Sequence, residues 1–286
     1  MRIANLAGRL VLLTAVGAVD VERASGRQFA PDPQAVYSRW DEFTEWAATA
    51  PTADAAGFGQ ADLRAPAPSP AQIFGIGLNY RDHAAEGGLT PPDSPAVFTK
   101  FVTSLTGPRG NIELSGPTVD WEVELVAVIG RTARHVPVTR GWDHIAGLTV
   151  GQDVSDRTVQ TVGPVPQFSL GKSFPGFSPT GPWLVTPDEL PNRDEIVLGC
   201  AVNGEPVQNG STADLIFSVP ELVSRLSAVL PLLPGDLIFT GTPAGVGAAR
   251  DPKRFLAPGD ELVSAINGIG EMRHRFVASA GNGETP

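Results

Sequence analysis

Carboxylates, a histidine and a lysine spread through the middle of the chain are the residues best suited to chemistry. In Asp120-Trp121-Glu122-Val123-Glu124-Leu125 the two glutamates stand two apart, so in a strand both project from one face. Adjacent carboxylates repel and resist desolvation unless a cation neutralises them, and hard oxygen ligands suit Mg²⁺, Mn²⁺ or Ca²⁺. A solvated edge-strand face would show the same spacing. Asp153 ends the run Gly147-Leu-Thr-Val-Gly-Gln-Asp153, with Arg157 four residues on. It reads either as a third ligand beside an anion clamp or as a turn residue. If Asn79 to Glu86 forms a helical turn, His83 and Glu86 share a face, and a glutamate that orients a histidine makes a general base. An incidental surface ion pair is the alternative. Lys172, in Gln167-Phe168-Ser169-Leu170-Gly171-Lys172-Ser173-Phe174, sits among small and aromatic residues and could hold a carboxylate or a developing enolate. Thr242 lies in the glycine-rich stretch Thr240-Gly241-Thr242-Pro243-Ala244-Gly245-Val246-Gly247, whose amides could bind a small carboxylate.

Strands must position most of these groups. Residues 73–77, 122–129, 195–202, 236–240 and 261–266 have strand character, punctuated by the chain's 32 glycines and 27 prolines. A clear helix is expected from Ser218 to Val229, with Ser218 as cap, Pro220 in the first turn and Glu221 as the matching acid. Many short strands and few helices point to a predominantly β, α+β architecture rather than a doubly wound sheet. Nucleotide-binding loops are disfavoured. Position 166 is Pro where a phosphate loop ending in Gly171-Lys172-Ser173 needs its first glycine, and Gly75-x-Gly77 meets Tyr80 instead of a third glycine.

Residues 1–65 read as a small N-terminal α/β domain. Residues 2–6 and 10–13 form two strands joined by a turn, not a signal peptide, because Asp20, Glu22 and Arg23 follow the short apolar run at once. A helix opens at Asp32-Pro33, with Val36, Trp40, Phe43 and Trp46 at helical spacing. Three prolines between Arg64 and Pro70 mark a stiff linker over residues 66–71, leaving 72–286 as the catalytic domain.

Composition excludes several classes. The net charge of −10, without a Lys/Arg cluster, argues against a nucleic-acid partner. No apolar run approaches the ~20 residues that span a bilayer. The single cysteine, Cys200, lies in an apolar run and reads as a buried structural thiol; with no disulfide framework, the expected compartment is a reducing cytoplasm.

Taken in order, these motifs resemble the fumarylacetoacetate hydrolase family from Ile73 to Phe276. The resemblance rests on Gly77-Leu-Asn-Tyr-Arg-Asp-His83-Ala-Ala-Glu86, Trp121-Glu122-Val-Glu124-Leu, Asp153-Val-Ser-Asp-Arg157 and Gly171-Lys172-Ser173-Phe174. It continues in Val202-Asn-Gly-Glu205, in Pro234 to Gly247, and in Pro258-Gly-Asp. It implies a mixed β-sandwich roll, usually a homodimer, with a Mg²⁺ or Mn²⁺ site at Glu122, Glu124 and Asp153 and Ca²⁺ as a substitute. His83 and Glu86 would be the water-activating pair, on a lid segment. Lys172 and Arg157 would stabilise substrate and enolate, with Tyr80, Gln167 and Thr242 as further substrate contacts. The implied activity is cleavage of a carbon–carbon bond in an acylpyruvate-like 2,4-dioxo acid. Oxaloacetate decarboxylation, or isomerisation or hydration of an unsaturated 2-oxo acid, would use the same site. A non-catalytic binding protein on this scaffold would have no need of His83, Glu86 and Lys172. The chain departs from the family pattern at Gln152, Asp156, Thr158 and Pro175-Gly176, positions expected to surround the substrate.

Overall fold

The structure, a computed structural model, describes residues 1–279; residues 280–286, the end of the expected catalytic domain, lie outside the described residues. In chain order the principal strands are β1 (Arg2–Leu6), β2 (Arg9–Thr14), β3 (Gly17–Asp20), β4 (Ile73–Gly77), β5 (Ala96–Thr99), β6 (Arg109–Glu113) and β7 (Val123–Ile129). They continue with β8 (Ile145–Gln152), β9 (Ser178–Val185), β10 (Val197–Val202), β11 (Glu205–Ser211), β12 (Leu237–Phe239), β13 (Glu261–Ile266) and β14 (Gly270–Val277). The helices used below are α1 (Trp40–Ala47), α2 (Arg81–Glu86), α3 (Arg157–Gln160), α4 (Phe168–Gly171) and α5 (Val219–Val229).

Two sheets carry the fold. The larger runs β3-β2-β1-β9-β8-β7-β12-β4-β5 and the smaller β11-β10-β13-β14-β6. Both mix directions: β12 pairs parallel with β4, and β14 parallel with β6, among otherwise antiparallel neighbours. This is the predominantly β architecture that the short, glycine-punctuated strands predict, and the mixed sandwich that the family resemblance implies.

β7 is central, not an edge. It pairs with β8 on one side and β12 on the other, and all seven of its residues are buried. Its two faces serve different cores. Val123, Leu125, Ala127 and Ile129 join the large apolar cluster shared with the second sheet, including Leu198, Val202, Leu262 and Phe276. Val126 and Val128 join a second cluster, with Ile3, Leu10, Val36, Trp40 and Phe43 from the N-terminal segment. Glu122 and Glu124 share the parity of Val126 and Val128, so the N-terminal segment covers one end of the face whose other end carries the carboxylates.

Residues 1–65 do not form a sheet of their own. β1 pairs antiparallel with β9, adding β1, β2 and β3 to the large sheet. The helix expected from Asp32 starts as a 3₁₀ turn at Ala35–Arg39 before α1. α5 forms as read, with the Ser218–Glu221 capping box in place. Among the described residues no helix is long and apolar enough to cross a membrane.

Candidate active site and metal centre

Where β7 begins and β8 ends, antiparallel pairing brings three carboxylates together. Asp153 donates its N–H to the Glu122 carbonyl at 2.9 Å, which closes the ladder and sets Asp153 beside the glutamates. One oxygen from each of Glu122, Glu124 and Asp153 lies within 4.8 Å of the others, and all three residues are buried. Buried carboxylates this close need positive charge. Glu122 has it: burial alone would raise its carboxyl, but the Lys172 ammonium and Arg157 guanidinium outweigh this and hold it down at about 2. Glu124 makes no ion pair among the described residues and accepts the Gly241 N–H at 2.8 Å. Burial, then the Asp153 and Glu122 carboxylates, push its carboxyl well above the usual range. An all-oxygen donor set with one uncompensated carboxylate fits a hard divalent cation.

Three cations surround the triad. Lys172 reaches Glu122 Oε2 at 2.9 Å, Asp153 Oδ2 at 2.6 Å and Ser155 Oγ at 2.8 Å. Lys100 takes the other Asp153 oxygen at 2.5 Å and also donates to the Lys172 carbonyl. The two ammoniums shift in opposite directions. Burial lowers Lys100, which Asp153 only partly offsets, whereas Asp153 and Glu122 together outweigh burial and raise Lys172. Arg157 bridges Asp120 Oδ2 at 2.8 Å and Glu122 Oε1 at 2.6 Å.

α2 presents the histidine–glutamate pair. His83 Nδ1 lies 3.0 Å from Glu86 Oε2, and Glu86 Oε1 accepts the Gly245 N–H at 2.9 Å. A carboxylate can only accept, so in this pair His83 Nδ1 is the donor and Nε2 is left as the basic nitrogen. The glycine-rich loop is thus tied to the helix carrying His83 and Glu86. Its far end is held by Asp120, which accepts the Gly247 N–H at 2.7 Å and the Ala248 N–H at 2.9 Å.

A cavity of about 310 Å³ joins these parts: His83, Glu122, Arg157, Gln160, Lys172 and Thr242 line it, with Ile76, Leu78, Leu89, Ala96 and Phe168. Three expected substrate contacts sit differently. The Thr242 hydroxyl donates to the Val123 carbonyl and accepts from Gln208 Nε2, both at 2.8 Å, so its proton is already committed. Gln167 caps α4 through Ser169 N, and it is Gln160, bound to Arg157 at 3.0 Å, that reaches the cavity wall. Tyr80 is fully buried behind the wall, its hydroxyl without a partner among the described residues. Gln152 and Asp156, expected around the substrate, are structural instead. Gln152 links Glu122 N to Ser264 Oγ, and Asp156 caps α3. Lys100, Asp120 and Gln208 went unassigned in the sequence; among them only Asp120, next to the E-x-E motif, carried any signal.

The family profile described as fumarylacetoacetate (FAA) hydrolase C-terminal matches residues 72–277. The chain belongs to this family. It is 40% identical over 215 residues to human oxaloacetate tautomerase FAHD2A, mitochondrial, covering 74% of this chain and 68% of that protein. A provisionally named HpcE protein from Mycobacterium smegmatis superposes with a TM-score of 0.94 at 54% identity, over 98% of this chain and 100% of that one. Maleylpyruvate hydrolase from Sphingobium sp. SYK-6, solved with manganese(II) and pyruvate, has a TM-score of 0.77 at 27% identity, over 98% of this chain and 100% of that one. The matched relatives include proteins named as a tautomerase and as a hydrolase, and this chain is an enzyme of their family.

Proposed function

We propose that the chain is a divalent-metal hydrolase that cleaves the C3–C4 bond of an acylpyruvate-like 2,4-dioxo acid. The observation that carries this reading is the pairing of His83 with Glu86 on the wall of the cavity that also holds Glu122 and Lys172. Glu122, Glu124 and Asp153 would hold Mg²⁺ or Mn²⁺, which supplies Lewis-acid charge to the substrate's 1-carboxylate and 2-oxo oxygens. The manganese and pyruvate in the Sphingobium hydrolase support that choice of ion and ligand.

Glu86 fixes the His83 ring with Nε2 available. His83 takes a proton from water as the water oxygen bonds to C4. The C3–C4 bond then breaks: C4 leaves in a carboxylic acid, and the electron pair passes to C3 as the enolate of pyruvate. Lys172 sets its ammonium charge against the enolate oxygen. Proton delivery from His83 to C3 completes pyruvate and restores the base. In the His83→Ala variant, turnover of an acylpyruvate should fall by ~10²–10⁴-fold, while Mn²⁺ affinity by calorimetry stays within error. Undiminished turnover would remove His83 from this role.

A second reading draws on the likeness to the human oxaloacetate tautomerase. The same base and ammonium would move a proton between C3 and the 2-oxo oxygen without water attack. Assaying the Mg²⁺- and Mn²⁺-loaded protein against acylpyruvates and oxaloacetate separates the two, since only the first releases a carboxylic acid.

A further inference from the structure

We infer that the cavity selects a 2-oxo acid whose far end is uncharged and apolar, and discriminates against a second, terminal carboxylate. The inference rests on the acylpyruvate form of the 2-oxo acid reading above, extends it to the other end of the substrate, and weighs against oxaloacetate, which ends in a second carboxylate.

The charged groups of the wall are joined in one cluster, Glu122 pairing with both Arg157 and Lys172. Glu122, Arg157 and Lys172 mark the acid-binding end, and His83 lines the same space. Neither permanent cation is idle: Arg157 grips Asp120 and Glu122, and Lys172 grips Glu122 and Asp153. Lys100, the remaining cation nearby, is buried behind Asp153 and does not line the space.

The rest of the wall is hydrocarbon: Ile76, Leu78, Leu89, Ala96 and Phe168. The surface is built, not incidental. Gly77 brings β4 close enough that a Cβ there would touch Ala96 at 3.6 Å and Phe168 at 3.7 Å, and Phe168 in turn sits edge-on to Phe98. Leu89 is 55% exposed on the segment after α2, an apolar side chain that an occupant would cover. Gln160 adds a polar side chain beside Thr242, and it is neutral. A terminal carboxylate would therefore lose its water and find no cation, which is unfavourable, whereas a methyl or methylene gains by leaving water.

Calorimetric titration of the full chain loaded with Mn²⁺ tests this without requiring turnover. The ligands are pyruvate, 2-oxobutyrate, 2-oxohexanoate and 2-oxoadipate, the last two equal in carbon number but ending in methyl or carboxylate. Affinity should rise about fourfold per early methylene from pyruvate, and 2-oxohexanoate should bind at least tenfold more tightly than 2-oxoadipate. In Ala96→Lys, which places an ammonium on an exposed edge-strand position of the wall, that order should reverse. Pyruvate binding with 2-oxoadipate equal to or tighter than 2-oxohexanoate would overturn the inference and leave the 2-oxo acid reading standing. No binding by any member, pyruvate included, would overturn both.

Discussion

Asp153 is gripped from two sides, Lys172 on Oδ2 and Lys100 on Oδ1, and this double hold decides where its carboxylate can offer a ligand atom. A ligating carboxylate is only as well oriented as the groups that hold it, and losing such an outer partner typically costs ~10–100-fold in metal affinity. Lys100→Met keeps all but one atom of the side chain's length and removes its charge. Mn²⁺ affinity by calorimetry should fall within that range, and urea unfolding should show a loss of about 3 kcal/mol, because a buried carboxylate is left half-paired. An unchanged affinity would mean that Lys172 alone orients Asp153. Much of this site could be read from residue types and spacing: E-x-E, the aspartate ending a strand, the histidine one helical turn before a glutamate, and a lysine among glycine and phenylalanine. Lys100 and Gln208 could not, because their meaning comes from partners 53 and 34 to 85 residues away that no local spacing reveals. Thr242 shows the converse: its presence in the loop was legible, but the commitment of its hydroxyl to Val123 and Gln208 was not.

At the scale of elements, the loop after β12 works as a strap between the His83–Glu86 pair and the strand that carries Glu124. Gly241 donates to Glu124, Gly245 to Glu86 and Gly247 to Asp120, at 2.8, 2.9 and 2.7 Å. Gly245 has φ +108°, and a Cβ on it would collide with the Val207 carbonyl. Only glycine allows the loop to lie flat on β11 while donating to Glu86. Gly245→Ala should therefore loosen Glu86 and, through it, His83. Its expected signature is a stability loss of ~1–3 kcal/mol together with a lower kcat, with Mn²⁺ affinity the least affected quantity; wild-type kcat in a folded variant would contradict the strap. Glycines in this stretch advertised a loop in the sequence, but their distribution over three acceptors on separate elements became visible only with the fold. The placement of β7 follows the same logic. Alternation alone left Glu122 and Glu124 open to an edge-strand reading, and it is the presence of β8 and β12 on either side that makes their burial, and hence a neutralising cation, necessary.

Across the whole molecule, the site depends on the second sheet although none of that sheet's strands carries one of the three carboxylates. Gln152 joins Glu122 N to Ser264 on β13, and Gln208 on β11 holds Val123 N and Thr242, so the carboxylate frame is braced from the face opposite the cavity. The N-terminal strands likewise extend the catalytic sheet, a junction that a boundary drawn from prolines at 66–71 could not anticipate, since sheet continuity is set by β1 meeting β9. Loss of the second sheet should accordingly release the site, and His274 on β14 offers a way to weaken that sheet by pH alone. The residue is 1% exposed, its Nε2 lies 2.9 Å from the Gly107 carbonyl, and its Nδ1 is buried without a partner. Burial lowers it from 6.5 to about 4. As pH falls, the unfolded chain takes up this proton first, so the stabilisation present above pH 6.5 is progressively lost down to about pH 4. A shift of that size is worth roughly 3 kcal/mol in full and about 2 kcal/mol by pH 5. Urea unfolding at pH 7.5 and pH 5 should therefore show His274→Gln, which keeps a donor for Gly107 but does not titrate, losing about 2 kcal/mol less than the parent chain between the two conditions. Equal losses would place the acid sensitivity elsewhere, in the carboxylates common to both proteins.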